Sequence, residues 1–95
     1  MLYKLTDIIE DRKSHPTPGS YTSQLFSEGE DAILKKVGEE AMEVILAAKG
    51  QGKQRLVEEM ADLFYHSLVL LSSQDLSLAD VEAELDRRHS LKKVK

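Results

Sequence analysis

Two amphipathic segments joined by Gly50-Gln51-Gly52 constrain this chain more than any other feature. From Lys35 to His66 the sequence runs KKVGEEAMEVILAAKGQGKQRLVEEMADLFYH, which reads as two helices folded back on each other. Each carries two acids three residues apart, Glu40 and Glu43 on the first and Glu59 and Asp62 on the second. Folding about Gln51 leaves Glu43 and Glu59 each eight residues from the turn, and Glu40 and Asp62 each eleven. With a rise of ~1.5 Å per residue, the two pairs reach the same heights. Four facing carboxylates repel unless something positive lies between them, and a metal ion is the expected occupant.

The rest of the chain also reads as helical. Two prolines and five glycines in 95 residues favour long helices over a turn-rich β fold. A first helix is predicted from Leu2 to Lys13, with Leu2, Leu5, Ile8 and Ile9 on one stripe. Ser14-His15-Pro16-Thr17-Pro18-Gly19-Ser20 breaks it as a loop, and Thr22 to Ser27 follows as a short helical turn with Leu25 and Phe26 inward. The second main helix spans Glu30 to Lys49, buries Ile33, Val37, Ala41, Val44, Ile45 and Ala48, and ends at Gly50 and Gly52 as cap candidates. Gly38 inside it costs up to ~1 kcal/mol relative to alanine, so close approach by another helix or a ligand is expected there.

The third helix covers Lys53 to Ser73, and from Leu63 to Leu71 it is apolar nearly all round. A helix of that kind is covered on every side. So short a chain scarcely surrounds one helix alone, which points to a C2 partner copy; a well-covered monomer core is the alternative. Ser77 and Asp80 signal the start of a fourth helix with Leu78, Val81 and Leu85 inward. The expected fold is therefore all-α, a single domain over residues 1–95. Two of its four main helices form a central antiparallel hairpin, and dimerisation completes the bundle.

Composition removes several classes of function. With no cysteine, neither a disulfide framework nor a thiolate metal site can form. No run approaches the ~20 apolar residues of a membrane span, and the acidic, amphipathic start is unlike a secretory signal. A cytoplasmic protein without membrane partners is expected. The net charge of −4 argues against nonspecific nucleic-acid binding. The closing RRHSLKKVK is basic and reads as a solvated helix end.

At ~100° per residue, Glu40 and Glu43 lie on one side of their helix's apolar stripe, while Glu39 falls on the opposite face. Glu59 and Asp62 take the corresponding side of theirs. Carboxylate oxygens without cysteine favour Mg²⁺ or Mn²⁺ over Zn²⁺, and a bound polyphosphate can complete such a site. Lys35 and Lys36, one turn before Glu40, are placed to meet phosphate; Lys53 and Arg55 near the hairpin turn are weaker candidates for the same work. His66 fits either a place beside the acids or a hydrogen-bonded position in the core. A di-iron bundle needs Glu-x-x-His on two helices, and only Asp86-x-x-His89 comes near that.

The run GSYTSQLFSEGEDAILKKVGEEAMEVILAAK followed by LVEEMADLFYHSLVLL resembles the phosphoribosyl-ATP pyrophosphohydrolases of histidine biosynthesis, from Leu5 to about Arg88. The Glu40-x-x-Glu43 and Glu59-x-x-Asp62 pattern is shared by the wider all-α, MazG-like nucleotide pyrophosphohydrolases. G-S-Y-T before the helix and K-x-G-E-E within it narrow the resemblance. It implies hydrolysis of phosphoribosyl-ATP between its α and β phosphates, Mg²⁺, and a homodimer or higher assembly. It also implies that Glu40, Glu43, Glu59 and Asp62 are metal ligands. Ser20, Tyr21, Thr22, Lys36 and Gly38, matched in the two motifs, are expected to contact substrate together with Lys35. Glu39, an acid outside the ligand set, is the candidate general base. Many members of the family are fused to a cyclohydrolase, whereas this chain is expected to be the free-standing form. Two other readings compete: a relative acting on a different nucleoside triphosphate, and a noncatalytic helical interaction module.

Overall fold

The computed structural model describes residues 1–94, with side chains through residue 90. It holds five helices: α1 (Leu2–Ser14), α2 (Tyr21–Glu28), α3 (Glu30–Gly50), α4 (Lys53–Ser73) and α5 (Leu78–Val94). The fold is all-α, and no strand occurs among the described residues. Five helices replace the expected four because the predicted short turn after the proline loop is a complete helix. Ser20 caps it, its hydroxyl accepting from the Ser23 N–H at 3.1 Å, and Leu25 is buried beneath it.

α3 and α4 form the hairpin, each 21 residues long and so about 30 Å from end to end. α3 runs through Gly50 rather than stopping at it, and Gln51 closes the helix by donating its N–H to Ala47 O at 3.1 Å. The positive φ falls on Gly52, at 91°, where an L side chain would be strained. Gly38 is exposed, and a Cβ there would meet nothing within 4 Å. Among the described residues, no other helix approaches that glycine.

The core sits at one end of the hairpin. Ile9 of α1, Leu25 of α2, Ile33 of α3 and Leu68 and Val69 of α4 bury together, with Leu5, Phe26, Tyr65, Leu70, Leu71 and Leu78 packed round them. Lys13 ties α1 to the end of α4, its ammonium donating to Ser72 O at 2.6 Å and to the Asp75 carboxylate at 3.0 Å.

Among the described residues, the other end of the hairpin has only its own two helices for cover. Ile45 and Ala48, expected inward, are exposed there, and Ala47 is buried instead. Met42, Leu46, Val57 and Phe64 are exposed as well. α5 starts as expected, the Asp80 carboxylate accepting from the Ser77 N–H at 2.9 Å. Its Leu78 packs on the core, but Val81 and Leu85, also expected inward, face outward. Both departures have one cause: the periodicity that marks an apolar stripe does not say whether this chain or another one covers it. The basic run is helical through Val94, and the side chains of residues 91–95 lie outside the described residues.

Candidate metal centre

The hairpin brings acids from both helices to one hollow of about 450 Å³. Glu40 of α3 and Glu59 and Asp62 of α4 each direct one carboxylate oxygen to a common point, the three atoms lying within 4.8 Å of one another. Glu43 and Glu39 line the same hollow, with Lys36 and Arg55, but neither acid belongs to the three-oxygen cluster. Glu39 was expected on the opposite face. It reaches the rim because α3 turns it only ~100° from Glu40.

The three acids differ sharply in setting. Glu59 is only 3% exposed, while Glu40 is half-buried and Asp62 exposed. Burial pushes the Glu59 carboxyl above its ordinary pKa, the Arg55 guanidinium opposes that rise, and Asp62, Glu40 and Glu43 add to it. Arg55 answers from one turn earlier on α4, its Nη2 lying 2.6 Å from Glu59 Oε1 and its Nη1 3.2 Å from Glu58 Oε1. Glu58 first and Glu59 next raise the Arg55 pKa, so it stays a cation. Lys36 is 3.8 Å from both Glu39 and Glu40.

This donor set fits a hard divalent cation. Three carboxylate oxygens from two rigid helices, one deeply buried, can share an ion that prefers oxygen and retains open positions for phosphate and water. Their mutual repulsion is only partly relieved by Arg55 and Lys36, and a cation between them relieves the remainder.

The other sequence-predicted residues divide among separate places. Tyr21, Lys35 and Lys36 line a second hollow of about 300 Å³ between α2 and α3, with Leu25, Ala32, Glu28 and Glu39. Lys36 and Glu39 border both hollows, which makes them contiguous. Ser20 lies instead beside a third hollow, walled by Pro16 to Gly19. Thr22 is buried and bonded to the Tyr65 hydroxyl. Gly38 lines none of the three.

His66 is a hydrogen-bonded, buried residue, its Nδ1 2.8 Å from Asp62 O and its Nε2 3.0 Å from the Tyr21 hydroxyl. The sequence reading missed Arg55 as the partner of Glu59, although an i,i+4 pair of opposite charge on one helix announces it. It also missed Tyr65, for which nothing in the spacing gives a signal.

A family model described as phosphoribosyl-ATP pyrophosphohydrolase matches residues 2–89. The chain is 52% identical over 89 residues to the phosphoribosyl-ATP pyrophosphatase of Clostridium acetobutylicum, covering 94% of this chain and 81% of that one. It is equally 52% identical over 89 residues to the phosphoribosyl-ATP pyrophosphatase of Bacillus cereus, covering 94% and 80%. Against the histidine biosynthesis bifunctional protein HisIE of Oceanobacillus iheyensis it is 54% identical over 81 residues, which are 85% of this chain and 38% of that protein.

Proposed function

The chain belongs to the phosphoribosyl-ATP pyrophosphohydrolase family, and from that premise we propose that its reaction takes place at the acidic hollow between α3 and α4. The reaction is the hydrolysis of phosphoribosyl-ATP to phosphoribosyl-AMP and pyrophosphate, a step of histidine biosynthesis. Mg²⁺, or Mn²⁺ in its place, is held by Glu40, Glu59 and Asp62, with Glu43 as the remaining acid in reach. One observation carries this reading: three carboxylate oxygens from two helices within 4.8 Å, with Glu59 scarcely exposed.

When bound, such a cation offsets the charge of the polyphosphate and makes water more acidic. The chain's own groups do the rest. Lys36, on the border between the two hollows, and Lys35, beside it in the second, bind phosphate oxygens. Arg55, already turned into the acidic hollow, stabilises the negative charge that grows on the departing pyrophosphate. Glu39, at the rim and outside the oxygen cluster, accepts the proton of the attacking water. The second hollow takes the organic part of the nucleotide beside Tyr21.

The chain works as a homodimer or a higher assembly in the cytoplasm. The support for assembly is the exposed apolar side chains of the hairpin, Met42, Ile45 and Leu46 on α3 and Val57 and Phe64 on α4. The deciding experiment is turnover of phosphoribosyl-ATP with Mg²⁺, with and without chelator, beside a panel of ordinary nucleoside triphosphates. Preferential, chelator-sensitive release of pyrophosphate from phosphoribosyl-ATP is expected. Turnover that survives chelation would sink the metal site, and a preference for another triphosphate would sink the substrate.

A further inference from the structure

We propose that His66 is a positioning residue for substrate binding: it fixes Tyr21 as the wall of the hollow next to the acidic cluster. The inference rests on the metal-site reading above and adds to it a residue that touches neither cation nor substrate.

The hydrogen-bond directions follow from the atoms. Asp62 O is a carbonyl and can only accept, so the His66 Nδ1 at 2.8 Å carries a proton. In the neutral ring this leaves Nε2 as an acceptor, so the Tyr21 hydroxyl at 3.0 Å is the donor. Both ring nitrogens are committed, and the ring is only 5% exposed. Tyr65 meets it edge-on, with centroids 4.9 Å apart at 81°, and Tyr21 does so at 5.9 Å and 80°. An imidazole held on two edges and two sides has one orientation.

What it orients matters because of where the two ends lie. One end is the backbone of Asp62, a member of the oxygen cluster. The other is Tyr21, the first residue of α2, which is 47% exposed and lines the second hollow beside Lys35 and Lys36. The wall against which the organic part of the substrate rests is thereby indexed to the helix that supplies two of the acids. Thr22, bonded to Tyr65, ties down the same turn of α2 to the same stretch of α4. Without the His66 bond, α2 stays docked through Leu25, but the phenol ring is free to leave the wall. The cost falls on substrate binding and spares the chemistry at the cluster.

Steady-state kinetics on phosphoribosyl-ATP at saturating Mg²⁺ tests this with Tyr21→Phe, His66→Phe, the double variant and His66→Gln. Loss of one neutral hydrogen bond predicts a rise in KM of about threefold to tenfold in Tyr21→Phe and in His66→Phe. The kcat should stay within about twofold, and the double variant should be no worse than either single one. His66→Gln, whose side-chain carbonyl can accept the tyrosine proton, should recover much of the parent KM. An unchanged KM in Tyr21→Phe, or two single effects that multiply in the double variant, overturns the proposal. Should His66→Phe fail to fold by circular dichroism, Tyr21→Phe and His66→Gln decide the matter alone. A parent with no Mg²⁺-dependent turnover defeats the metal-site reading and this inference with it, whereas an active parent with unresponsive variants defeats only the inference.

Discussion

Arg55 Nη2 lies 2.6 Å from Glu59 Oε1, one helical turn away, so the most deeply buried acid of the hollow carries its counter-ion on its own helix. The guanidinium is about half exposed while the carboxylate is not, so the arginine can swing out to solvent and leave the acid to another cation. Arg55→Met removes that partner and exposes Glu59 to unrelieved repulsion from Asp62, Glu40 and Glu43. A lower melting temperature than the parent is expected in chelator, with the gap narrowing at saturating Mg²⁺. A gap of the same size in both conditions means that no cation reaches Glu59.

The acids of the hollow should separate by what they change. Groups supporting a metal ligand typically contribute about 10- to 100-fold in affinity, so Glu40→Gln, Glu59→Gln and Asp62→Asn should each weaken Mn²⁺ binding at least that much by calorimetry. Glu39→Gln should bind Mn²⁺ like the parent and lose about 10²- to 10⁴-fold in kcat, the usual contribution of a general base. Glu43→Gln decides the fourth position. Weakened Mn²⁺ binding places Glu43 with the ligands, and unchanged binding places it in the lining.

The hairpin was legible because its register depends only on counting. Residues equidistant from Gln51 end at equal height whatever the tertiary packing does, and Glu40 does meet Glu59 and Asp62. Angles about a helix axis were a poorer guide. They put Glu39 on the far face, whereas a flexible side chain ~100° round from Glu40 still reaches the rim. The exposure of Ile45, Val81 and Leu85 was not legible at all, because an apolar stripe does not name the surface that covers it. The G-S-Y-T segment shows a third kind of limit. Its residues serve a cap, a buried hydrogen bond and a hollow wall at once, and a motif match gives them one shared role.

Tyr65 sets an expectation for alkaline pH. Burial raises its pKa above the ordinary 10.0, the hydrogen bond with Thr22 opposes this, and Tyr21 adds to it. Between 10.0 and the raised value the folded chain holds a proton that the unfolded chain has released. Stability is therefore fully present below the ordinary value and is lost as pH rises through the folded one. Melting temperature measured against pH should fall in that alkaline range, with tyrosinate absorbance appearing late. Tyr65→Phe should flatten the fall, at the expense of the bond to Thr22.

Ile33 is 1% exposed at the point where α3 meets the other helices of the core. Truncation to alanine should destabilise the chain by about 2–5 kcal/mol, and Ile33→Val by about 0.5–1.5 kcal/mol. In a domain of this size each kcal/mol shifts the melting temperature by about 4–8 °C. Denaturant titration should show the midpoint moving at constant slope. The acidic hollow, whose α3 residues begin one turn along at Lys36, should retain its Mn²⁺ affinity in the milder variant.

The exposed face of the hairpin makes a prediction about assembly. Met42, Ile45 and Leu46 stand at helical spacing on α3, and Val57 and Phe64 stand two turns apart on α4. Apolar side chains scattered singly over a surface need no explanation. These stand at helical spacing along each of two adjacent helices, and the same helices carry the acidic hollow. A second copy covering them by two-fold symmetry would bury the same residues on both subunits and stiffen the hairpin at the hollow, which among the described residues is lined by α3 and α4 alone. Light scattering at micromolar concentration should therefore find a dimer or a larger assembly. Ile45→Glu and Phe64→Glu, which place charge at these exposed positions without touching the core cluster, should shift it towards monomer. Mn²⁺ affinity should fall with the same concentration dependence as dissociation. A parent that is monomeric at those concentrations, or glutamate variants that remain assembled, would show that this face is not the contact.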